Sequence, residues 1–322
     1  MIKIIKDLLK IKNWIKLIKD PGKLKSVILK RFFSYPSKRI GKIQNKYLRN
    51  FMIKFWINLS KKNKSFNYFF FSEVDENSKK NFAFNKFSED VFLSLKNNGI
   101  AVIENVLNES EHKKICEKFN NLNNNNELWL EGPKNITKSK DVDIIWAKDD
   151  IKQFSNLEMI SNQITSKIYG KIIKPSVEFY LHKSNKASEE IILGENHLHM
   201  DRFIPNLKIY YSPFDIKYTD APFSWVLKSH KINKEYIQSW LLNLENFSNV
   251  PSFSEKNSYL STFKKEDIFR AEVKRNSLIA VFTNGYHGRT PFMKKDTSRK
   301  VVFLHFGNFN ILSLFNFLKY NQ

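Results

Sequence analysis

A histidine and an aspartate stand two residues apart in the segment His199-Met200-Asp201. On a β-strand, alternate side chains point to the same face, so both groups would be directed to one side. A second histidine, His287, follows an apolar strand-like segment and the turn-forming pair Asn284-Gly285. Two imidazoles and one carboxylate are the donor set of a mononuclear non-haem iron(II) site with open coordination positions. We therefore predict that His199, Asp201 and His287 bind iron(II).

An arginine follows at a spacing that suits the same site. Arg299 lies 12 residues after His287, behind a polar turn-like segment and at the start of an apolar strand over residues 300–306. If that strand runs back beside the metal, the planar guanidinium can hold a carboxylate through two parallel hydrogen bonds. Arg289, only two residues from His287, is a rival for this role.

The elements that would position these residues change character near Gly170. Before it, helical periodicity and capping residues predict helices, with Gly99 and Gly170 as left-handed stops. Three starts are expected, at Ser88, at Asn108 with Glu111 three residues later, and at Ser155.

After Gly170, short segments rich in aromatic and β-branched residues predict strands. Together with 100–106 they are 177–181, 207–211, 223–227, 277–282 and 300–306. Strands that are broken at regular intervals favour a sandwich or barrel over a parallel sheet. The fold class is therefore predicted as mainly β with N-terminal helices.

Several segments together resemble the phytanoyl-CoA dioxygenase family of iron(II)/2-oxoglutarate-dependent oxygenases. The entry Asn98-Gly99-Ile100-Ala101-Val102 is similar to the family's helix-glycine-strand start, and the ligand segment 199–201 is followed by the strand 207–211. Residues 221–230 are similar to its element G-P-x-x-x-x-P-G-S-H, and His287-Gly288-Arg289 with Arg299 completes the order. Ala221 and Leu227-Lys228 stand where the family has Gly and Pro-Gly.

The resemblance implies a double-stranded β-helix, a jelly-roll or cupin-like barrel, preceded by helices. It implies that His199, Asp201 and His287 are the catalytic iron ligands and that Arg299, on the following strand, binds the cosubstrate 2-oxoglutarate. The implied reaction is a hydroxylation by O2, with release of succinate and CO2, of a small-molecule or lipid-linked substrate. Asp201 argues against the related halogenases, in which a small residue stands at this position.

Other residues have competing interpretations. His197 with His199 would suit a cupin-type H-x-H site, but no glutamate follows at the expected spacing. His182 could contact the cosubstrate or be a core residue, and His305 could lie near the site or only pack in the core. His230 is expected to anchor a loop and His112 to be solvated. Trp225, Tyr180 and Tyr210 are candidates both for the pocket and for the core.

The formal charge of +22 is unevenly distributed, because residues 1–50 hold 15 Lys or Arg against Asp7 and Asp20. Residues 1–30 have the pattern of a basic amphipathic helix, which suits either an anionic membrane surface or packing on the main domain. Nucleic-acid binding is disfavoured because the charge lies outside the expected barrel. A non-catalytic protein that binds membrane or nucleic acid through this segment is the alternative to an enzyme.

The chain has no apolar segment of membrane-spanning length, and its N-terminus lacks the features of a secretory signal. With Cys116 as the single cysteine, no internal disulfide can form. We expect a cytoplasmic protein, with residues 1–50 in possible contact with the inner membrane face. The expected organisation is a basic extension over 1–85, an oxygenase domain over 86–310 and a tail over 311–322.

Overall fold

The structure, a computed structural model, describes residues 69–70, 82–123, 135–170, 172–187, 198–201, 205–233, 235–236 and 262–306, together with Tyr47 and Phe51. The amphipathic helix predicted for residues 1–30 and the tail over 311–322 lie outside these residues. Within the described ranges, no helix is long and apolar enough to cross a bilayer. The domain limits stay a prediction, although Phe69 and Phe70 are buried in the main core.

Three α-helices lie within these ranges: α1 (Glu89–Asn98), α2 (Glu109–Asn123) and α3 (Ser155–Tyr169). Gly99 and Gly170 end α1 and α3 with φ of 82° and 67°, the left-handed conformation predicted for them. The first residues of these helices are only partly as predicted. Ser88 precedes α1 without a side-chain capping bond, and Phe154 rather than Ser155 occupies the N-cap of α3.

Glu111 stabilises a different helix from the one expected. Its own backbone N–H donates to Oδ1 of Asn108 at 2.9 Å, which is the predicted cap of α2. Its carboxylate, however, accepts hydrogen bonds from the backbone N–H groups of Asn156 and Leu157 at 3.0 and 3.1 Å, which belong to the first turn of α3. The side chain therefore joins the start of α2 to the start of α3.

Eleven strands, β1 to β11 in chain order, form two sheets within the described residues. Their bounds are Ala83–Phe84, Ile100–Ile103, Asn135–Thr137, Val142–Asp149, Ser176–Ser184, Leu207–Ser212, Phe223–Val226, Ile268–Ala271, Ser277–Phe282, His287–Arg289 and Ser298–His305. The large sheet has the order β1-β2-β9-β6-β11-β5-β4-β3, and the small sheet has the order β10-β7-β8. All pairs except β1 with β2 are antiparallel.

From β5 onward the chain passes repeatedly between the two sheets. Strands β5, β6, β9 and β11 are neighbours in the large sheet, whereas β7, β8 and β10 form the small one. His199, between β5 and β6 in sequence, pairs with His287 at the edge of β10 and so extends the small sheet. This alternation is that of a double-stranded β-helix, or jelly roll, and it confirms the predicted fold class.

The two faces of the large sheet bury different cores. Its outer face packs against the helices, with Val177, Phe179 and Leu181 of β5 in the same cluster as residues of α1, α2 and α3. Its inner face packs against the small sheet, where Tyr210, Trp225 and Val301 belong to a second cluster. Because side chains alternate along β11, Arg299 shares the inner face with Val301. The candidate site residues consequently lie between the sheets.

Candidate metal and anion site

Three side chains that could hold a metal ion converge between the sheets. The ligand atoms of His199, Asp201 and His287 all lie within 4.8 Å of one another. The backbones of His199 and His287 exchange hydrogen bonds of 2.7 and 2.9 Å, and the N–H of Asp201 donates to the carbonyl of Thr283 at 2.9 Å. These bonds join the His199-Asp201 segment to the chain around β10. The structure thus brings together the three residues that the sequence separates.

The His287 ring has a fixed orientation. Its side chain is buried, it stacks on Phe223 at a centroid distance of 5.7 Å, and its Nδ1 donates to the carbonyl of Gly285 at 3.0 Å. Because a carbonyl can only accept, Nδ1 carries the proton and Nε2 presents its lone pair. Burial lowers the pKa of His287, and contact with Asp201 opposes that effect without cancelling it. The ring is therefore neutral, as a metal ligand must be.

Asp201 divides its two oxygens between different partners. Oδ1 lies 3.5 Å from Nε2 of His199 and 3.6 Å from Nε2 of His287, whereas Oδ2 lies 2.6 Å from Nζ of Lys208. Burial alone would raise the pKa of the carboxyl, but contacts with both histidines and the charge of Lys208 hold it well below its usual range. Asp201 is consequently ionised, with one oxygen facing the two imidazoles.

A cavity of about 210 Å³ opens beside the three residues. Its volume corresponds to roughly seven water molecules in the liquid, enough for a small organic acid. Its lining combines His199 and His287 with the cations Lys208, Arg289 and Arg299 and the aromatic side chains Tyr210, Phe223 and Phe303. Cationic side chains therefore outnumber acidic ones in the lining of the cavity, and this charge favours an anionic ligand.

Arg299 lies where the sequence predicts it, on a strand that returns to the cavity of His199 and His287. It is 8% exposed and stands opposite His182 in the pairing of β11 with β5. Its Nη1 donates to the carbonyl of Ala221 at 2.6 Å, while its Nε has no hydrogen-bond partner. Burial and the nearby Arg289 cation lower its pKa, yet a guanidinium stays charged at neutral pH. Part of its hydrogen-bonding capacity is therefore unused.

Arg289, the rival of Arg299, lines the same cavity. It is paired with Phe223 in the small sheet, and its Nη1 is also buried without a hydrogen-bond partner. Both arginines are thus brought to the site, one from each sheet.

Lys208 is the site residue that sequence reasoning missed. Alternation along the predicted strand 207–211 places it on the same face as Tyr210, which was a usable signal. Its contact with Asp201 could not be read from this pattern, because Asp201 lies on a segment attached to the other sheet.

The other histidines that the structure describes lie in the core or at its edges. His112 is buried, contrary to the prediction of a solvated residue, because α2 packs on the sheet and its Nδ1 lies 2.7 Å from the hydroxyl of Tyr211. His230 is fully buried, and its backbone carbonyl accepts from Nδ2 of Asn284 at 2.9 Å, as expected of a loop anchor. His305 lies 3.2 Å from the carboxylate of Glu178.

The three candidate pocket aromatics lie in different surroundings. Of the three candidate pocket aromatics, Tyr210 lines the cavity. Trp225 is a core residue whose Nε1 donates to the carbonyl of Asn98 at 2.8 Å, and Tyr180 stacks on Trp146. His197, the second histidine of the cupin-type alternative, lies outside the described residues.

Several solved structures have a similar fold. The epimerase SnoN, in complex with Fe3+, alpha ketoglutarate and nogalamycin RO, is 10% identical over 67% of this chain and 81% of that chain, with a TM-score of 0.44. EctD from S. alaskensis, in its apoform, is 12% identical over 72% of this chain and 79% of that chain, with a TM-score of 0.47.

HygX from Streptomyces hygroscopicus, with nickel, 2-oxoglutarate and hygromycin B bound, is 12% identical over 69% of this chain and 88% of that chain, with a TM-score of 0.41. No protein-family model and no curated protein matches the sequence. At this level of similarity, neither activity nor substrate transfers from these proteins. The strand order defines the fold, and the site is defined by its own geometry.

Proposed function

We propose that the protein is an iron(II)- and 2-oxoglutarate-dependent oxygenase whose iron ligands are His199, Asp201 and His287. The observation that carries this proposal is the convergence of two imidazoles and one carboxylate within 4.8 Å. Two histidines with one carboxylate are the donor set of non-haem iron(II) oxygenases. The fit is supported by the hydrogen bond that leaves Nε2 of His287 free and by the ionised state of Asp201.

The cavity residues have separate parts in this proposal. Arg299 binds the distal carboxylate of 2-oxoglutarate, because its buried guanidinium retains an unused N–H donor. Phe223 and Phe303 restrict water beside the ligands. Lys208 holds one oxygen of Asp201, so that the other faces the histidines. When bound, iron(II) and 2-oxoglutarate would supply oxidation of a substrate C–H by O2, with release of succinate and CO2 and hydroxylation as the proposed outcome.

The resemblance to the phytanoyl-CoA dioxygenase family gains support from two backbone angles. Ala221 and Lys228 have φ of 56° and 68°, a left-handed conformation that side chains other than glycine rarely adopt. Both stand where the family has glycine, so this chain retains the conformation while lacking the residue that favours it. Membership of that family is accordingly part of the proposal.

Turnover tests the proposal directly. Purified protein with iron(II), ascorbate, O2 and 2-oxoglutarate should release succinate, and His199→Ala, Asp201→Ala and His287→Ala should each reduce its formation by at least about 100-fold, a loss of nearly 3 kcal/mol in stabilisation. His305→Ala is the matched control, since His305 lies 3.2 Å from the carboxylate of Glu178 and is not one of the three proposed ligands. If the three variants keep wild-type activity, the proposal is wrong.

A small-molecule or lipid-linked substrate fits the proposal.

The charge of residues 1–50 favours a contact with anionic membrane. Flotation with vesicles containing anionic lipid tests this membrane contact. Retention of the full chain by these vesicles, but not by neutral ones, is the expected result. Equal flotation with both would contradict a charge-based contact.

A further inference from the structure

Two arginines of the cavity each have a buried nitrogen atom without a hydrogen-bond partner in the described part of the chain. The atoms are Nη1 of Arg289 and Nε of Arg299. Buried donors of this kind are rare, because each forfeits its hydration without a replacement. An unpaired buried guanidinium is costlier still, because its charge is desolvated as well.

The two sheets bring these groups to one place. Arg299 stands opposite His182 in the large sheet, and its Nη1 holds the carbonyl of Ala221. Arg289 stands opposite Phe223 in the small sheet. Phe223 lies only two residues after Ala221. Both arginines line the same cavity, and the charge of each lowers the pKa of His182 after the larger effect of burial.

Asp201, the acid among the three proposed ligands, does not compensate these cations. Oδ2 of Asp201 is paired with Lys208, and its Oδ1 faces the two histidines. The Arg289 guanidinium instead lies over the ring of Phe292, 5.5 Å from its centroid. The cavity therefore has two cationic groups to offer to one incoming anion.

We propose that Arg289 is a second anion-binding residue, which together with Arg299 holds the distal carboxylate of the 2-oxo acid. This inference rests on the proposed function, since it assigns the carboxylate to 2-oxoglutarate. The two guanidinium groups would supply N–H donors from both sheets to the carboxylate oxygens. The pocket should then select dicarboxylic over monocarboxylic 2-oxo acids through both arginines.

Calorimetric titration of the metal-free protein with glutarate tests this assignment without any turnover. Glutarate has the distal carboxylate of 2-oxoglutarate but lacks the 2-oxo group. Arg289→Met should weaken glutarate binding by about 10- to 100-fold, the range for hydrogen bonds to charged groups. Arg270→Met is the matched control, because Arg270 lies on β8, two strands from β10 in the same sheet, with its guanidinium against Tyr218. The affinity of this variant for glutarate should equal that of wild type.

Folding is checked by thermal unfolding without ligand, where Arg289→Met should be at least as stable as wild type, since it removes an unpaired buried charge. Arg289→Lys, which keeps the charge but not the planar fork, should bind glutarate with intermediate affinity. Wild-type affinity in a folded Arg289→Met, or an equal loss in Arg270→Met, would overturn the inference. If glutarate binding depends on Arg289 but no iron complex forms, the proposed function fails while the anion site stands.

Discussion

His287 and Gly285 are joined by a hydrogen bond between residues two apart in sequence, from Nδ1 of the ring to the carbonyl at 3.0 Å. A side chain at position 285 has no room, because an added Cβ would lie 2.3 Å from the Trp225 ring and 2.6 Å from Oγ of Ser229. The orientation of one proposed ligand thus depends on a glycine that is not itself a ligand.

Gly285→Ala should therefore weaken iron(II) binding by about 10- to 100-fold, the usual cost of losing a partner that orients a metal ligand. Equilibrium dialysis with iron(II) under anaerobic conditions measures the affinity. Gly170→Ala is the control, since Gly170 ends α3, outside the site, and its positive φ makes a side chain there costly. It should lose about 1 kcal/mol of stability and keep its metal affinity. Equal metal affinity in both variants and wild type would contradict the role of the Gly285 carbonyl.

Ala221→Gly should stabilise the protein by up to about 1 kcal/mol. At φ of 56° the alanine side chain strains the backbone. The free energy gained by relieving this strain exceeds the cost of the extra chain entropy that glycine loses on folding. Chemical denaturation measures the difference in free energy of unfolding. A lower stability of Ala221→Gly would show that the strain is absent or that the alanine methyl group contributes more by packing.

The shared contact between α2 and α3 predicts a second stability effect. Glu111→Ala removes the acceptor for two backbone N–H groups in the first turn of α3, so it should cost about 1–2 kcal/mol. Glu117→Ala, at an exposed position of the same helix, should change stability by less than about 0.5 kcal/mol. Similar losses in the two variants would argue against Glu111 as a cap of α3.

Stability should fall as the pH is lowered from about 7.5 to 5.5. Burial lowers the pKa of His182 and of His230 well below the usual value near 6.5, and neighbouring cations lower both further. Below that value the unfolded chain takes up two protons that the folded chain does not. The free energy of unfolding then falls with a limiting slope of about 2.7 kcal/mol per pH unit from these two groups.

Denaturation curves of metal-free protein at several pH values measure this slope. His182→Gln cannot titrate and should reduce the slope by up to about 1.4 kcal/mol per pH unit. An unchanged slope in His182→Gln would mean that the buried ring takes up a proton as readily as in the unfolded chain.

Local patterns predicted the regular part of the fold. Strand β9 has the predicted bounds, 277–282, and β5, β6, β7 and β11 were placed correctly, because alternating or continuous apolar residues identify strands that are buried on one or both faces. Strands β4 and β8 were missed because Asp143 and Lys148 in one and Arg270 in the other interrupt the apolar pattern. Strand β10 has only three residues, which is too short for periodicity.

The site was predictable to the extent that its residues have distinctive types and spacing. His199, Asp201, His287 and Arg299 were named from sequence, and the structure brings all four to one region between the sheets. Long-range contacts were not accessible in this way. The burial of His112 against Tyr211, for example, joins residues 99 positions apart, and no local pattern specifies such a pair.

The iron-ligand assignment is tested most directly by the visible absorption of the iron(II) complex with 2-oxoglutarate. Wild-type protein given both under anaerobic conditions should develop a metal-to-ligand charge-transfer band that neither component produces alone. His199→Ala and Asp201→Ala should show no such band at the same concentrations. A wild-type protein without the band, or variants with a band of equal intensity, would contradict the assignment of these residues as iron ligands.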